Sequence, residues 1–97
     1  MSEETQAPKE PISVYDHLVY LLDQMAGISW QRLGLQPDMV TGTLAADLDE
    51  AKVAIDLSAY LAGIVEPKLG DEDRRRVQSL VRDLRLNYVQ RRQDSGG

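Results

Sequence analysis

The sequence contains no cysteine and no phenylalanine, and it has one histidine and one tryptophan. Without cysteine the chain cannot form disulfides, thiolate metal sites or a thiol nucleophile. A domain of 97 residues without such cross-links depends on core packing or on oligomerisation. Hydrophobic residues make up 42% of the chain, which indicates a globular domain rather than a disordered one.

Long uninterrupted apolar runs are also missing. Residues 14–33 are about as long as a membrane span, but charged and polar side chains such as Asp16, Asp23 and Arg32 interrupt them. The N-terminus lacks the basic start and apolar core of a signal peptide. We therefore expect a cytoplasmic protein with no membrane partner.

Positive charge is scarce except near the C-terminus. Residues 1–73 carry 14 acidic and 4 basic side chains, whereas residues 74–97 carry seven arginines and two aspartates. The two parts thus have net charges of −10 and +5, and the whole chain has −5. This balance disfavours general binding to nucleic acid and suggests that opposite ends of one or two subunits attract each other.

Apolar periodicity predicts an all-α domain of three helices over residues 13–92, between disordered tails at 1–12 and 93–97. We expect the first helix at 14–33, capped by Ser13 and ended by Gly34, and the second at 44–66, capped by Thr43. The third begins at Asp71 and ends near Arg92. A short connection predicts that the first two form an antiparallel hairpin.

The segment between these two helices, residues 34–43, is expected to be an ordered turn. Gly34 and Gly42 permit positive φ angles, and Pro37 prevents the helix from continuing. We expect Leu35, Met39 and Val40 to anchor the turn by apolar packing.

The first two helices carry unusually broad apolar surfaces. The apolar arc of the first spans about 200°, against about 100° for an ordinary surface helix. Three short helices cannot cover such arcs alone, so we expect self-association. The candidate interface residues are Val19, Ala26, Trp30, Val53, Leu57, Tyr60, Ile64, Asp56 and Arg85. Trp30 fits an interface anchor and a core residue equally well.

The sequence gives only weak evidence for a catalytic or metal-binding site. His17 has only Ser13 as a nearby nucleophile, which makes a poor catalytic pair. Asp49, Glu50 and Asp56 could bind a cation, but Lys52 between them favours intrahelical ion pairs. We therefore predict no catalytic residue, no metal site and no cofactor, and a protein that is not an enzyme.

Four arginines of the third helix, Arg74, Arg82, Arg85 and Arg92, share one side within roughly 80°. Such a stripe could follow the phosphates of a nucleic acid. No aromatic side chains alternate with it to stack bases, and the rest of the chain is acidic. Pairing with carboxylates, within or between subunits, is the favoured interpretation.

Several motifs together resemble domain-of-unknown-function family 1844. They are W-Q-R-L-G-L-Q-P-D at residues 30–38, T-G at 41–42, D-L-x-x-A-K-x-A-I-D-L at 47–57 and D-L-R-x-x-Y-V at 83–89. The resemblance covers about residues 14–89. It implies a small, helical, cytoplasmic protein of bacteria with no assigned activity, and it supplies no catalytic residues.

The leading hypothesis is a non-enzymatic, self-associating interaction module of unknown physiological role, whose partner is a second copy of itself or another protein. One alternative is an adaptor that binds RNA or a ribonucleoprotein through the third helix. The other is a small-ligand binder or enzyme whose site forms between subunits, lined by His17, Asp56 or Arg85.

Overall fold

Three helices and a short 3-10 turn make up most of the computed structural model, which describes residues 11–96. The elements are α1 (Val14–Arg32), α2 (Leu48–Val65), the 3-10 turn (Glu66–Lys68) and α3 (Asp71–Gly96). No strand occurs in this part of the chain. Helices α1 and α2 pack closely as a hairpin, and α3 packs mainly against α2. The predicted all-α, three-helix class is confirmed. Of the tail expected at residues 1–12, residues 1–10 lie outside the described residues.

Both ends of α1 follow the sequence signals. The Ser13 Oγ accepts a hydrogen bond from the Tyr15 amide at 3.1 Å, as an N-cap does. At the other end Gly34 has φ +80° and the Leu35 amide donates to the Trp30 carbonyl at 3.1 Å. This is a Schellman motif, in which a left-handed glycine lets the chain turn back over the last carbonyls of the helix.

The connection between α1 and α2 is ordered, but not by the predicted apolar anchors. Met39 and Val40 are 78% and 88% exposed, and Leu35 is also exposed. Asp38, which is buried, holds the loop instead: its Oδ1 accepts hydrogen bonds from the Val40 and Thr41 amides at 2.7 and 2.9 Å. The prediction of apolar anchoring was wrong because a single carboxylate satisfies two loop amides at once.

Helix α2 begins at Leu48, four residues later than predicted, so the prediction of Thr43 as its N-cap was wrong. Asp47 is the cap, because its Oδ1 accepts a hydrogen bond from the Glu50 amide at 3.1 Å. Thr43 serves the loop instead, where its carbonyl accepts from the Asp38 amide at 2.8 Å. Two good capping residues lie four positions apart, and the Asp38 loop determines which one is used.

The core consists of two adjoining clusters. One forms around Leu22, Leu61, Ala62, Val65 and Val81, and the other around Ala26, Leu33, Ala51, Ile55 and Leu84. Between them Ser29 and Ser58 are fully buried, and each hydroxyl donates to the carbonyl four residues earlier at 2.8 Å. Small side chains with satisfied hydroxyls let α1 and α2 approach closely.

Helix α3 contributes the predicted apolar stripe, with Val81 and Leu84 buried and Val77, Leu80 and Tyr88 packed beside them. It continues through Gly96, so the tail predicted from residue 93 is helical as far as the structure describes it. No proline or glycine interrupts residues 71–95. Asp94 and Ser95 also lie near Leu33 and Leu48, around a shallow cavity at the end of the hairpin.

Candidate interaction surfaces

One side of the α1–α2 hairpin is covered by α3, and the other side carries an uncovered apolar surface. We call this surface the open face. It comprises Leu21, Met25 and Ile28 of α1 and Val53, Leu57, Tyr60 and Ile64 of α2. Spacings of three and four residues place each set along one side of its helix, and antiparallel packing places the two sets side by side.

The exposure of the open face is greatest on α2. Val53 and Tyr60 are each 69% exposed and Leu57 is 40% exposed, while Leu21 is 44% exposed on α1. Met25, Ile28 and Ile64 are half-buried. Single exposed apolar residues are ordinary, but seven on adjoining strips of two packed helices form a patch typical of an interaction site.

The candidate interface residues therefore separate into three groups. Val53, Leu57, Tyr60 and Ile64 lie together on the open face. Ala26 is buried in the core, and Val19 and Trp30 pack beside it, so these three α1 residues face inward within the chain. Asp56 and Arg85 lie elsewhere, in the groove between α2 and α3.

Sequence reasoning did not list the α1 half of the open face, Leu21, Met25 and Ile28, among the interface candidates. These residues belong to the broad apolar arc of α1, whose other edge carries Val19 and Trp30. The periodicity shows the width of the arc but not which edge α3 covers. In the structure α3 covers the edge with Val19, because Val19 and Val77 line the same depression.

A second surface is the α2–α3 groove on the other side of the hairpin. It consists of two neighbouring cavities of about 360 and 260 Å³. The larger is lined by Ala59, Ala62, Gly63, Glu66, Gln78, Val81, Arg82 and Arg85, and the smaller by Lys52, Ile55, Asp56, Arg85, Tyr88 and Val89. Arg85 lines both cavities and thus lies near the middle of the groove.

The α3 arginines differ in their partners. Arg74 pairs with Asp71 at 2.9 Å and donates to the Glu66 and Leu69 carbonyls, which fixes the turn before α3. Arg92 reaches Asp49 of α2 at 3.3 Å. Pairing with carboxylates, the favoured interpretation of the stripe, is confirmed for these two arginines, in both cases within the subunit.

Arg82 and Arg85 do not follow this pattern. Among residues 11–96, Arg82 reaches only its sequence neighbour Asp83, at 3.7 Å, and Arg85 pairs with no carboxylate. Asp56, the other predicted participant, accepts a hydrogen bond from Lys52 Nζ at 2.8 Å. This contact raises the pKa of Lys52. The predicted intrahelical pair is thereby confirmed, and pairing of Arg85 stays a prediction.

The candidate residues for a catalytic or ligand site do not lie together in the structure. His17 is exposed near the start of α1, away from the groove that holds Asp56 and Arg85. No cluster of three metal-ligating side chains occurs among residues 11–96. Within the same residues, no helix combines the length and hydropathy that a membrane crossing requires.

The family model described as Domain of unknown function (DUF1844) matches residues 15–90. The chain belongs to the DUF1844 family. The match includes nearly all of α1, the Asp38 loop, α2 and most of α3, so the open face and the α2–α3 groove both lie within the matched part of the chain. No curated protein and no solved structure matches the chain.

Proposed function

We propose that this DUF1844 protein is a non-enzymatic interaction module that self-associates through its open face. The observation that carries the proposal is the exposed strip of Val53, Leu57 and Tyr60 beside Leu21 on the outer side of the hairpin. Burial of apolar area is the main driving force of protein association. Within residues 11–96 Val53 and Tyr60 stay 69% exposed, and Leu21 and Leu57 stay 44% and 40% exposed.

The absence of charged residues on the open face supports a second copy as the partner. In a twofold dimer the same patch meets itself, so a charged side chain near the axis faces a like charge. None of the seven residues of the open face is charged. The face can therefore meet its own copy without repulsion, and two hairpins stacked this way give a four-helix arrangement with conventional packing.

The proposed cellular location rests on the family resemblance. Because the chain resembles small cytoplasmic proteins of bacteria, we propose that it acts in the bacterial cytoplasm. Its partners there are a second copy of itself or another protein with an apolar helical surface.

The test is the mass of the full-length protein in solution, measured by sedimentation at several micromolar concentrations. We expect a dimer or larger species for the parent chain. Leu57→Asp buries a charge at the centre of the face and should raise the dissociation constant by at least about tenfold. Circular dichroism should show unchanged helix content, because Leu57 is exposed within the subunit.

Leu86→Asp is the matched control. Leu86 is 61% exposed on α3, away from the open face, so this substitution should leave the mass unchanged. A monomeric parent at these concentrations would refute self-association. Equal weakening by both substitutions would refute the open face as the contact surface.

A further inference from the structure

We propose that the α2–α3 groove binds an acidic peptide segment of a partner protein, with one carboxylate held between Arg82 and Arg85. This surface lies on the other side of the hairpin from the open face, so the proposal does not depend on self-association. Both arginines line the larger cavity of the groove. Charge and shape together identify the chemistry of the occupant.

The charge argument starts from the spacing of the two arginines. Side chains three residues apart are neighbours on a helix surface, so Arg82 and Arg85 place two like charges close together. Arg74, Arg76 and Arg92 of α3 each reach a carboxylate, as Arg82 does only towards Asp83, at 3.7 Å. Among residues 11–96 Arg75, Arg85 and Arg91 reach none, and of these three only Arg85 lines the groove. A carboxylate from outside would relieve this repulsion and accept hydrogen bonds from the guanidinium groups.

The shape argument rests on the α2 wall of the groove. Ala59, Ala62 and Gly63 face the arginines, and nothing lies within 4 Å of a Cβ built on Gly63. The space beside Gly63 is therefore not filled by the chain itself. A peptide can approach α2 closely there, placing small apolar side chains on Ala59 and Val81 while an acidic side chain reaches the arginines.

The surrounding charges favour a peptide over a nucleic acid. Asp56 lies towards one end of the groove and Glu66 lies at the other, where its Oε1 accepts from Gln78 at 3.1 Å. A phosphate backbone that continued past the two arginines would meet these carboxylates. An isolated carboxylate on a short segment would not, so the groove suits one localised negative charge.

The experiment is selection of a random 12-residue peptide-display library on the full-length protein, followed by binding measurements with one selected synthetic peptide. We expect the selected peptides to share an aspartate or glutamate flanked by small apolar residues. Arg85→Glu should weaken binding of the synthetic peptide at least tenfold, and replacing its acidic residue by the amide should weaken binding similarly.

Two further variants separate groove binding from general electrostatic attraction. Arg75→Glu makes the same charge change at an exposed α3 position outside the groove and should alter affinity less than twofold. Gly63→Leu keeps every charge and fills the groove, and it should weaken binding as strongly as Arg85→Glu. Because Gly63 is exposed in α2, this variant should keep the parent helix content.

Three results would overturn the proposal. Selected peptides without an acidic residue would exclude the proposed chemistry. Equal effects of Arg75→Glu and Arg85→Glu, or unchanged binding by Gly63→Leu, would exclude the groove. A labelled oligouridylate provides the third result. If it binds tightly, if Arg85→Glu abolishes this binding and if the selected peptide does not displace it, the arginines serve RNA binding. Leu57→Asp should leave peptide binding intact, so failure of self-association would be recognised separately.

Discussion

At the scale of single residues, Asp38 organises the connection between the two hairpin helices. Its carboxylate accepts hydrogen bonds from two loop amides and forms an ion pair with Arg32 at 2.8 Å. Arg32 in turn pairs with Glu50 at the start of α2. The Arg32 carbonyl also accepts the Asp47 amide at 2.8 Å. Asp38 therefore holds the loop against Arg32 at the end of α1, and Arg32 makes the contacts to the beginning of α2.

These contacts of Asp38 predict that the stability of the fold depends on pH. Hydrogen bonds from the Thr41 and Val40 amides, together with Arg32, lower the pKa of Asp38. A lowered pKa in the folded state means that the contribution of Asp38 to stability is present above its unfolded pKa and is lost as pH falls through its folded pKa. Asp38→Asn should therefore lower Tm by several degrees near pH ~7, and the difference from the parent should shrink towards pH ~2. Thermal melts across this range measure it, and a difference independent of pH would contradict the assignment.

The two loop glycines differ in a way that substitution can reveal. Gly34 and Gly42 both have positive φ, as predicted, at +80° and +73°. A Cβ on Gly34 would lie 3.0 Å from the Ala46 Cβ, whereas a Cβ on Gly42 would meet nothing within 4 Å. We expect Gly42→Ala to lower the free energy of unfolding by about 1 kcal/mol through backbone strain alone, and Gly34→Ala to lower it by more. Denaturant titration compares them, and equal losses would mean that Ala46 moves away freely.

At the scale of elements, the start of α2 depends on its cap. Asp47→Ala should lower the free energy of unfolding by about 1 kcal/mol, because the Glu50 amide loses its acceptor at the helix terminus. Thr43→Ala is the control, since its main-chain contact with Asp38 persists and only an exposed hydroxyl contact is lost. Denaturant titration of both variants gives the comparison. A larger loss for Thr43→Ala would show that the loop hydroxyls matter more than the cap.

Sequence periodicity predicted the helices well because each contains a strong apolar repeat. The α3 stripe from Val77 to Tyr88 could be read directly, since a single stripe has only one way to face the core. The broad arcs of α1 could not be resolved in this way. Whether Val19 or Leu21 stays exposed depends on where α3 packs, and that is a property of the whole chain.

The groove illustrates a different limit of sequence reasoning. The wheel of α3 placed Arg74, Arg82, Arg85 and Arg92 on one side, but it could not show which of them find carboxylates. Arg92 pairs with Asp49 across 43 residues of sequence, and this contact requires the antiparallel packing of α2 and α3. Arg85 differs from Arg92 only through this tertiary arrangement.

At the scale of the whole molecule, the two proposed surfaces lie on different sides of α2. The strip with Val53, Leu57 and Tyr60 borders α1, and the wall with Ala59 and Gly63 borders α3. A dimer formed through the open face therefore leaves both grooves accessible. Such a dimer would present two acidic-peptide sites, and a partner with two segments would gain affinity from binding both.

Self-association also makes stability depend on protein concentration. If folding and dimer formation are coupled, raising the concentration about a hundredfold stabilises the folded dimer by about 2.7 kcal/mol through mass action. For a small domain this raises Tm by several degrees.

We therefore expect the Tm of the parent chain to rise between about 5 and about 500 μM. Leu57→Asp, which weakens the contact through the open face, should show a smaller rise in Tm over this range, and Leu86→Asp should behave as the parent does. Scanning calorimetry at matched scan rates measures all three. A parent Tm that does not change with concentration, together with a monomeric mass, would show that the folded monomer leaves Val53, Leu57 and Tyr60 in contact with water.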